Sequence, residues 1–245
     1  FWAHLSCGIA AGLLILLMSV TGLLLAYEHQ INEARQRANR VELTAAACVN
    51  GVIGSFPTVN AREPEQLDAW LERLRDAKLF AFDTETTSLD YMQAEIVGVS
   101  FCVEPGHAAY VPLAHRYAGA PEQLDRTAVL ARLKPLLEDA GRGKLGHHLK
   151  YDAHVLRNHG IEMRGMRYDS MLESYVLNST ATRHDLDSTA RHYLGVETIH
   201  YEDVAGKGAK QLPFNEVPVE TAGEYSAEDA DVALRLHRAL WPQIE

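Results

Sequence analysis

In the run LFAFDTETTSLD at 79–90, four mostly apolar residues lead into Asp83, and Glu85 follows two places later. Side chains at i and i+2 of a strand share a face, so the two carboxylates would project together. Acids that close repel unless a cation lies between them. Oxygen-only ligands suit Mg²⁺ or Mn²⁺ rather than zinc. Taken alone, D-x-E more often marks a solvated strand end followed by a turn. Two further groups add to it. GHHLKYD at 146–152 sets Asp152 just past a short apolar step, where a chain leaves a sheet. EYSAEDAD at 224–231 sets Tyr225 and Asp229 at i and i+4, on one helix face. Tyr225 also lines up with Ala233 and Leu236, so a core role for its ring stays open. His147, His148, His154 and His159 invite a zinc reading. On a helix from about 149, however, His154 and His159 fall on poorly aligned faces.

The elements that must hold these groups are legible from periodicity. Leu67, Trp70, Leu71 and Leu74 mark an amphipathic helix that begins near 63. Strand-like runs come next at 79–84, 95–103 and 108–113, with a turn at Pro105–Gly106 between the last two. A helix is expected near 125–138, a short strand step at Lys144–Gly146, and a helix from about 149. Helical stretches are expected at 169–178, 185–194 and 219–240. Strands come first as a meander and then alternate with helices, which predicts an α/β fold with a mixed sheet flanked by helices.

The net charge is −10. Arg35, Arg37 and Arg40 balance Glu28, Glu33 and Glu42 in the first fifty residues, so the excess falls entirely on the remainder. That argues against wrapping of duplex DNA by bulk electrostatics, but not against phosphates met through metal ions held on acids. Cysteines at 7, 48 and 102 form neither a metal knuckle nor a disulfide framework, and a reduced compartment fits. The chain opens on Phe1, which implies residues missing upstream. Residues 1–27 hold no Asp, Glu, Lys or Arg, and Gly8–Tyr27 matches the ~20 residues a helix needs to cross a bilayer. A membrane span is expected there, with a cleaved signal peptide as the rival. Basic residues at 35–40 would place the C-terminal part of the chain in the cytoplasm, tethered to the inner membrane. The division expected is 1–40 span and flank, 41–62 linker, and 63–245 globular domain.

The segments WAHL, GIAAGLL and SVTGLLLAYEHQI resemble the first membrane helix of PepSY-associated transmembrane proteins. FAFDTETTSLD, LKYD and YSAEDAD, in that order, resemble the proofreading 3′→5′ exonuclease domain of bacterial DNA polymerase I. That domain belongs to the DEDD exonucleases, in the branch with a catalytic tyrosine. The likeness runs from about 55 to 245 and includes DSMLESYVLNS, RHDLDS and AGKGAKQLPF.

The resemblance implies a ribonuclease-H-like fold and a substrate of single-stranded or frayed DNA, shortened from its 3′ end. It implies that Asp83, Glu85, Asp152 and Asp229 hold two divalent ions about 3.5–4 Å apart. Tyr225, with an ordinary pKa near ~10, would stay protonated and orient the attacking water with help from Glu85. Leu89 matches an apolar wedge beside the terminal bases, and Tyr201 an aromatic that stacks on the substrate; both positions also suit ordinary loop or core residues. Lys207 and Lys210 stand where they could touch phosphate or simply face water. The sequence departs from the family at His148, where asparagine is usual, which bears on how the substrate strand is held. In the family a polymerase domain comes after this one. An RNA trimmer like ribonuclease D uses the same acids and tyrosine, and a non-catalytic nucleic-acid-binding domain is the rival from another class.

Overall fold

The computed structural model describes residues 59–245. The expected span at 8–27 and the resemblance carried by the first forty residues lie outside them. Among the described residues, no helix is long and apolar enough to cross a membrane.

Six strands form one mixed sheet: β1 (Val59–Asn60), β2 (Leu79–Thr86), β3 (Ile96–Glu104), β4 (His107–Pro112), β5 (Gly143–Gly146) and β6 (Met166–Asp169), in the order β1-β4-β3-β2-β5-β6. β2, β3 and β4 run antiparallel as the expected meander, while β1 on β4, β5 on β2 and β6 on β5 are parallel. The helices are α1 (Pro64–Asp76), α2 (Arg126–Leu137), α3 (Leu149–Asn158), α4 (Ser170–Leu177), α5 (Leu186–Thr189), α6 (Tyr201–Ala205) and α7 (Val219–Ile244). A π-helical turn at Ala190–Leu194 continues α5, so the stretch expected as one helix over 185–194 is two short pieces. β1 falls inside the stretch expected as linker. β6 and α6 had no periodic signal; at four and five residues they are too short to show one.

β2 is central and covered on both faces, and its alternation decides where the chemistry goes. Phe80 and Phe82 enter the larger core with Leu67, Trp70, Leu71 and Leu74 of α1, Val129 and Leu133 of α2, and Leu149, Val155 and Leu156 of α3. Ala81 points the other way, onto Ala227, Ala230 and Leu234 of α7. Small residues at that contact let α7 lie close against the sheet. By the same alternation Asp83 and Glu85 share the face of Ala81, the one α7 crosses.

Candidate functional site

Carboxylate oxygens of Asp83, Glu85 and Asp229 lie within 4.8 Å of one another. β2 delivers the first two and α7 the third. Burial pushes the Asp83 carboxyl up to about 6, partly offset by a backbone hydrogen bond at Thr84. Burial, then the charge of Asp83, raises Glu85 well above the ordinary carboxylate range, with the Ser226 side chain acting against the rise. Burial, then Asp83 and Glu85, does the same to Asp229. Acids arranged this way cannot all ionise without a counter-cation. Asp229 Oδ1 is also buried with no hydrogen-bond partner. A buried polar atom left unmade is costly, and a cation would satisfy it. The donor set therefore fits a divalent ion held by oxygens.

Asp152 arrives from the opposite layer, on α3. β5 pairs with β2 only as far as Ala81↔Leu145. Beyond that last rung, the Thr84 N–H and hydroxyl both donate to Asp152 Oδ1, at 3.0 and 2.6 Å. Burial, then the charge of Asp83, raises the Asp152 carboxyl. Asp152 thus borders the three-acid cluster and is electrostatically tied to it, with one oxygen engaged by Thr84.

Tyr225 packs its ring in the interior and sets its hydroxyl beside the acids. Its ring packs with Phe214 at 6.1 Å and edge-on to Tyr201 at 6.2 Å, beside a small buried cluster. Its hydroxyl lies against Asp229, and burial, then that carboxylate, raises its pKa well above the usual phenol value. Tyr225 is therefore protonated at neutral pH.

Leu89 is 95% exposed just beyond β2, with Met92 also exposed nearby. Such exposure is without value to folding. Tyr201 opens α6 and stacks on Phe214 at 6.2 Å. The strap before it is fixed by Glu228 accepting from the Ile199 N–H at 2.7 Å and by Asp187 bonded to both Thr198 and His200. Lys207 pairs with Glu202 at 2.8 Å.

His148 is exposed and precedes α3 in the left-handed region, with φ 68° and ψ 38°. Histidine and asparagine are both enriched there. The backbone therefore accounts for either residue at this position, and the side chain makes no capping bond. The zinc reading of the histidines finds no support in their surroundings. His147 lies 2.9 Å from Ser170 Oγ and 3.0 Å from His184 O, and His154 stacks on Tyr91. His159 Nε2 lies near the Ile96 N–H.

Asp169 escaped the sequence reading. Its carboxylate accepts from His148 N–H and Leu149 N–H at the start of α3, and from Met171 N–H and Leu172 N–H at the start of α4. An aspartate opening a helix is a legible N-cap. Its second duty depends on β6 ending beside β5, at Gly146↔Asp169, which no local pattern reveals.

A mixed sheet with helices on both faces and a carboxylate cluster beside its central strand fits a hydrolase that works through oxygen-bound metal ions. The chain belongs to the 3′–5′ exonuclease family, whose model matches residues 58–245, and it is a hydrolase of that kind. It is 64% identical over 180 residues to DNA polymerase I of Pseudomonas aeruginosa, covering 73% of this chain and 20% of that protein. It is 41% identical over 203 residues to DNA polymerase I of Rhizobium leguminosarum, covering 76% and 20%. The chain thus spans about a fifth of these relatives. Among solved structures, Trypanosoma brucei RNase D in complex with RNA U12 superposes with a TM-score of 0.62 at 18% identity, over 81% of this chain and 66% of that one. That likeness is one of fold.

Proposed function

We propose that this chain removes nucleotides one at a time from the 3′ end of single-stranded or frayed DNA, using two divalent ions, Mg²⁺ or Mn²⁺, on Asp83, Glu85, Asp152 and Asp229. The observation that carries the reading is the meeting of Asp83, Glu85 and Asp229 within 4.8 Å, with Tyr225 against Asp229. Divalent ions there supply Lewis acidity that acidifies a water and screens charge developing on phosphorus. Thr84 keeps Asp152 at the rim of the cluster. Tyr225 holds its proton and serves as a hydrogen-bonding orienter of the attacking water, with Glu85 alongside. The acidic net charge does not oppose this reading, because bound cations reverse the local potential.

Substrate contacts fall to three residues. Leu89 wedges against the terminal base, an apolar side chain displayed to solvent for that purpose. Tyr201 offers a ring face; base–aromatic stacking contributes about 1–3 kcal/mol and tolerates any sequence. His148, exposed at the start of α3, lies along the path of the strand. The globular unit of 63–245 carries all of these groups, and a polymerase domain like that of the longer relatives is its natural partner.

The test is a 5′-labelled single-stranded DNA incubated with Mg²⁺ or Mn²⁺, alongside a ribo-oligonucleotide of matched sequence. A ladder shortening from the 3′ end, abolished by Asp83→Ala, is expected. Faster release from the ribo-oligonucleotide would reassign the substrate to RNA. No release in either metal, with Asp83→Ala unchanged from wild type, would leave a non-catalytic binding domain.

A further inference from the structure

Tyr110 stands on β4, on the face that carries the acids. Asp83 pairs with Ser100, and Ser100 with Tyr110, so all three project from one side of the sheet. The fully buried ring leans over Gly98, the partner of Glu85. A Cβ at Gly98 would overlap the Tyr110 hydroxyl, so the phenol fills the space a side chain at 98 would take. Opposed residues of an antiparallel pair hold their Cβ atoms about 4.5–5.5 Å apart, which puts that hydroxyl beside Glu85. Burial, then the charges of Glu85 and Asp83, raises the Tyr110 pKa, as that placement requires.

The hydroxyl is braced from behind. It lies 2.7 Å from His115 Nε2, and His115 Nδ1 lies 2.9 Å from Val217 O. A carbonyl only accepts, so Nδ1 carries the proton. Burial lowers the His115 pKa and favours the neutral ring, whose Nε2 then accepts from the Tyr110 O–H. The same strap donates Arg116 N–H to Asn215 O at 2.6 Å and accepts Val219 N–H on Tyr117 Oη at 3.1 Å. The exit of β4 is thereby tied to the start of α7, the helix that bears Tyr225 and Asp229.

We propose that Tyr110, braced by His115, is a positioning residue of the metal cluster: it fixes the spacing between Asp83 and Glu85 on the strand and Asp229 on the helix, and so sets the affinity for a divalent cation. The proposal rests on the exonuclease reading only for what the bound cation does. Mn²⁺ is titrated calorimetrically into metal-free wild type, Tyr110→Phe and His115→Asn, with thermal melting of each and the DNA assay in parallel. Tyr110→Phe deletes the hydroxyl, while His115→Asn keeps a donor for Val217 O and cuts the link to Tyr110. Both are expected to weaken Mn²⁺ binding about 10-fold, the scale of losses behind metal ligands. Melting temperature should fall by only the few degrees that one lost buried hydrogen bond costs, and the Mn²⁺ dependence of nucleotide release should shift to higher concentration. Unchanged Mn²⁺ affinity in both, or failure of both to fold, overturns the proposal and leaves Tyr110 a core residue. A wild type that binds Mn²⁺ but releases no nucleotide would sink the exonuclease reading alone.

Discussion

Asp152 and Thr84 meet across two layers of the fold, with one carboxylate oxygen taking both the backbone N–H and the hydroxyl of Thr84. Thr84→Val keeps the shape and removes one donor. The variant should lose about 1.5–3 kcal/mol in urea unfolding, the usual range for a hydrogen bond to a charged group. Nucleotide release should fall with it as Asp152 swings. Unchanged turnover would show that Asp152 is held by the backbone donor alone.

Tyr225→Phe keeps the ring contacts with Phe214 and Tyr201 and deletes only the hydroxyl. Mn²⁺ affinity should hold while hydrolysis slows by about 10²-fold, near the low end for a group acting on a proton in the reaction. Equal single-turnover rates for variant and wild type would remove Tyr225 from the chemistry.

Without metal, the acid cluster makes stability depend on pH in the direction opposite to salt-bridged acids. Asp83 titrates at about 6 in the folded chain, above its ordinary 3.8, and Glu85, Asp152 and Asp229 are raised as well. The folded state therefore binds protons more tightly than the unfolded chain. Its contribution is fully present below the ordinary carboxylate range and is lost as pH rises through about 4 to 6 and beyond. Urea midpoints in EDTA should fall across that window, and Mn²⁺ at about pH 7.5 should restore them. Midpoints flat with pH in EDTA would mean the carboxylates do not repel as placed.

Leu89→Ala tests the wedge. A side chain 95% exposed contributes little to the core, so melting should not move. KM for single-stranded DNA should rise several-fold, about what the loss of a ~1 kcal/mol apolar contact gives. Identical kinetics would return Leu89 to the status of an ordinary loop residue.

Asp169→Ala removes the cap from α3 and α4 together. A single N-cap is worth about 0.5–2 kcal/mol, and this variant should lose more than one such increment in urea unfolding. A loss at the low end would mean that water replaces the carboxylate at one of the two helices.

The helices at 64–76, 126–137 and 219–244 were legible because each buries a periodic apolar face, and the central strand and meander because they are short apolar runs, buried on both sides and bounded by turn residues. The three acid motifs were legible together through their resemblance, in order, to the exonuclease domain, since D-x-E alone describes an ordinary strand end. What the sequence could not show was depth and side. Asp152 reaches β2 through the gap where β5 stops, a fact of strand length. Thr84 reads as a filler between two acids, yet it faces the other layer. His148 departs from the expected asparagine in side-chain chemistry, while its left-handed backbone, with φ 68°, is one that both residues accommodate. Tyr110 and His115 carry no motif; Gly98, on the strand between Tyr110 and the acids, makes the room that the phenol fills.

Ala227 and Ala230 let α7 rest almost flush on Ala81 and Leu145. A larger side chain at Ala227 or Ala230 would push Asp229 away from Asp83 and Glu85 without touching any acid, so the spacing of the cluster depends on two alanines as well as on the acids themselves.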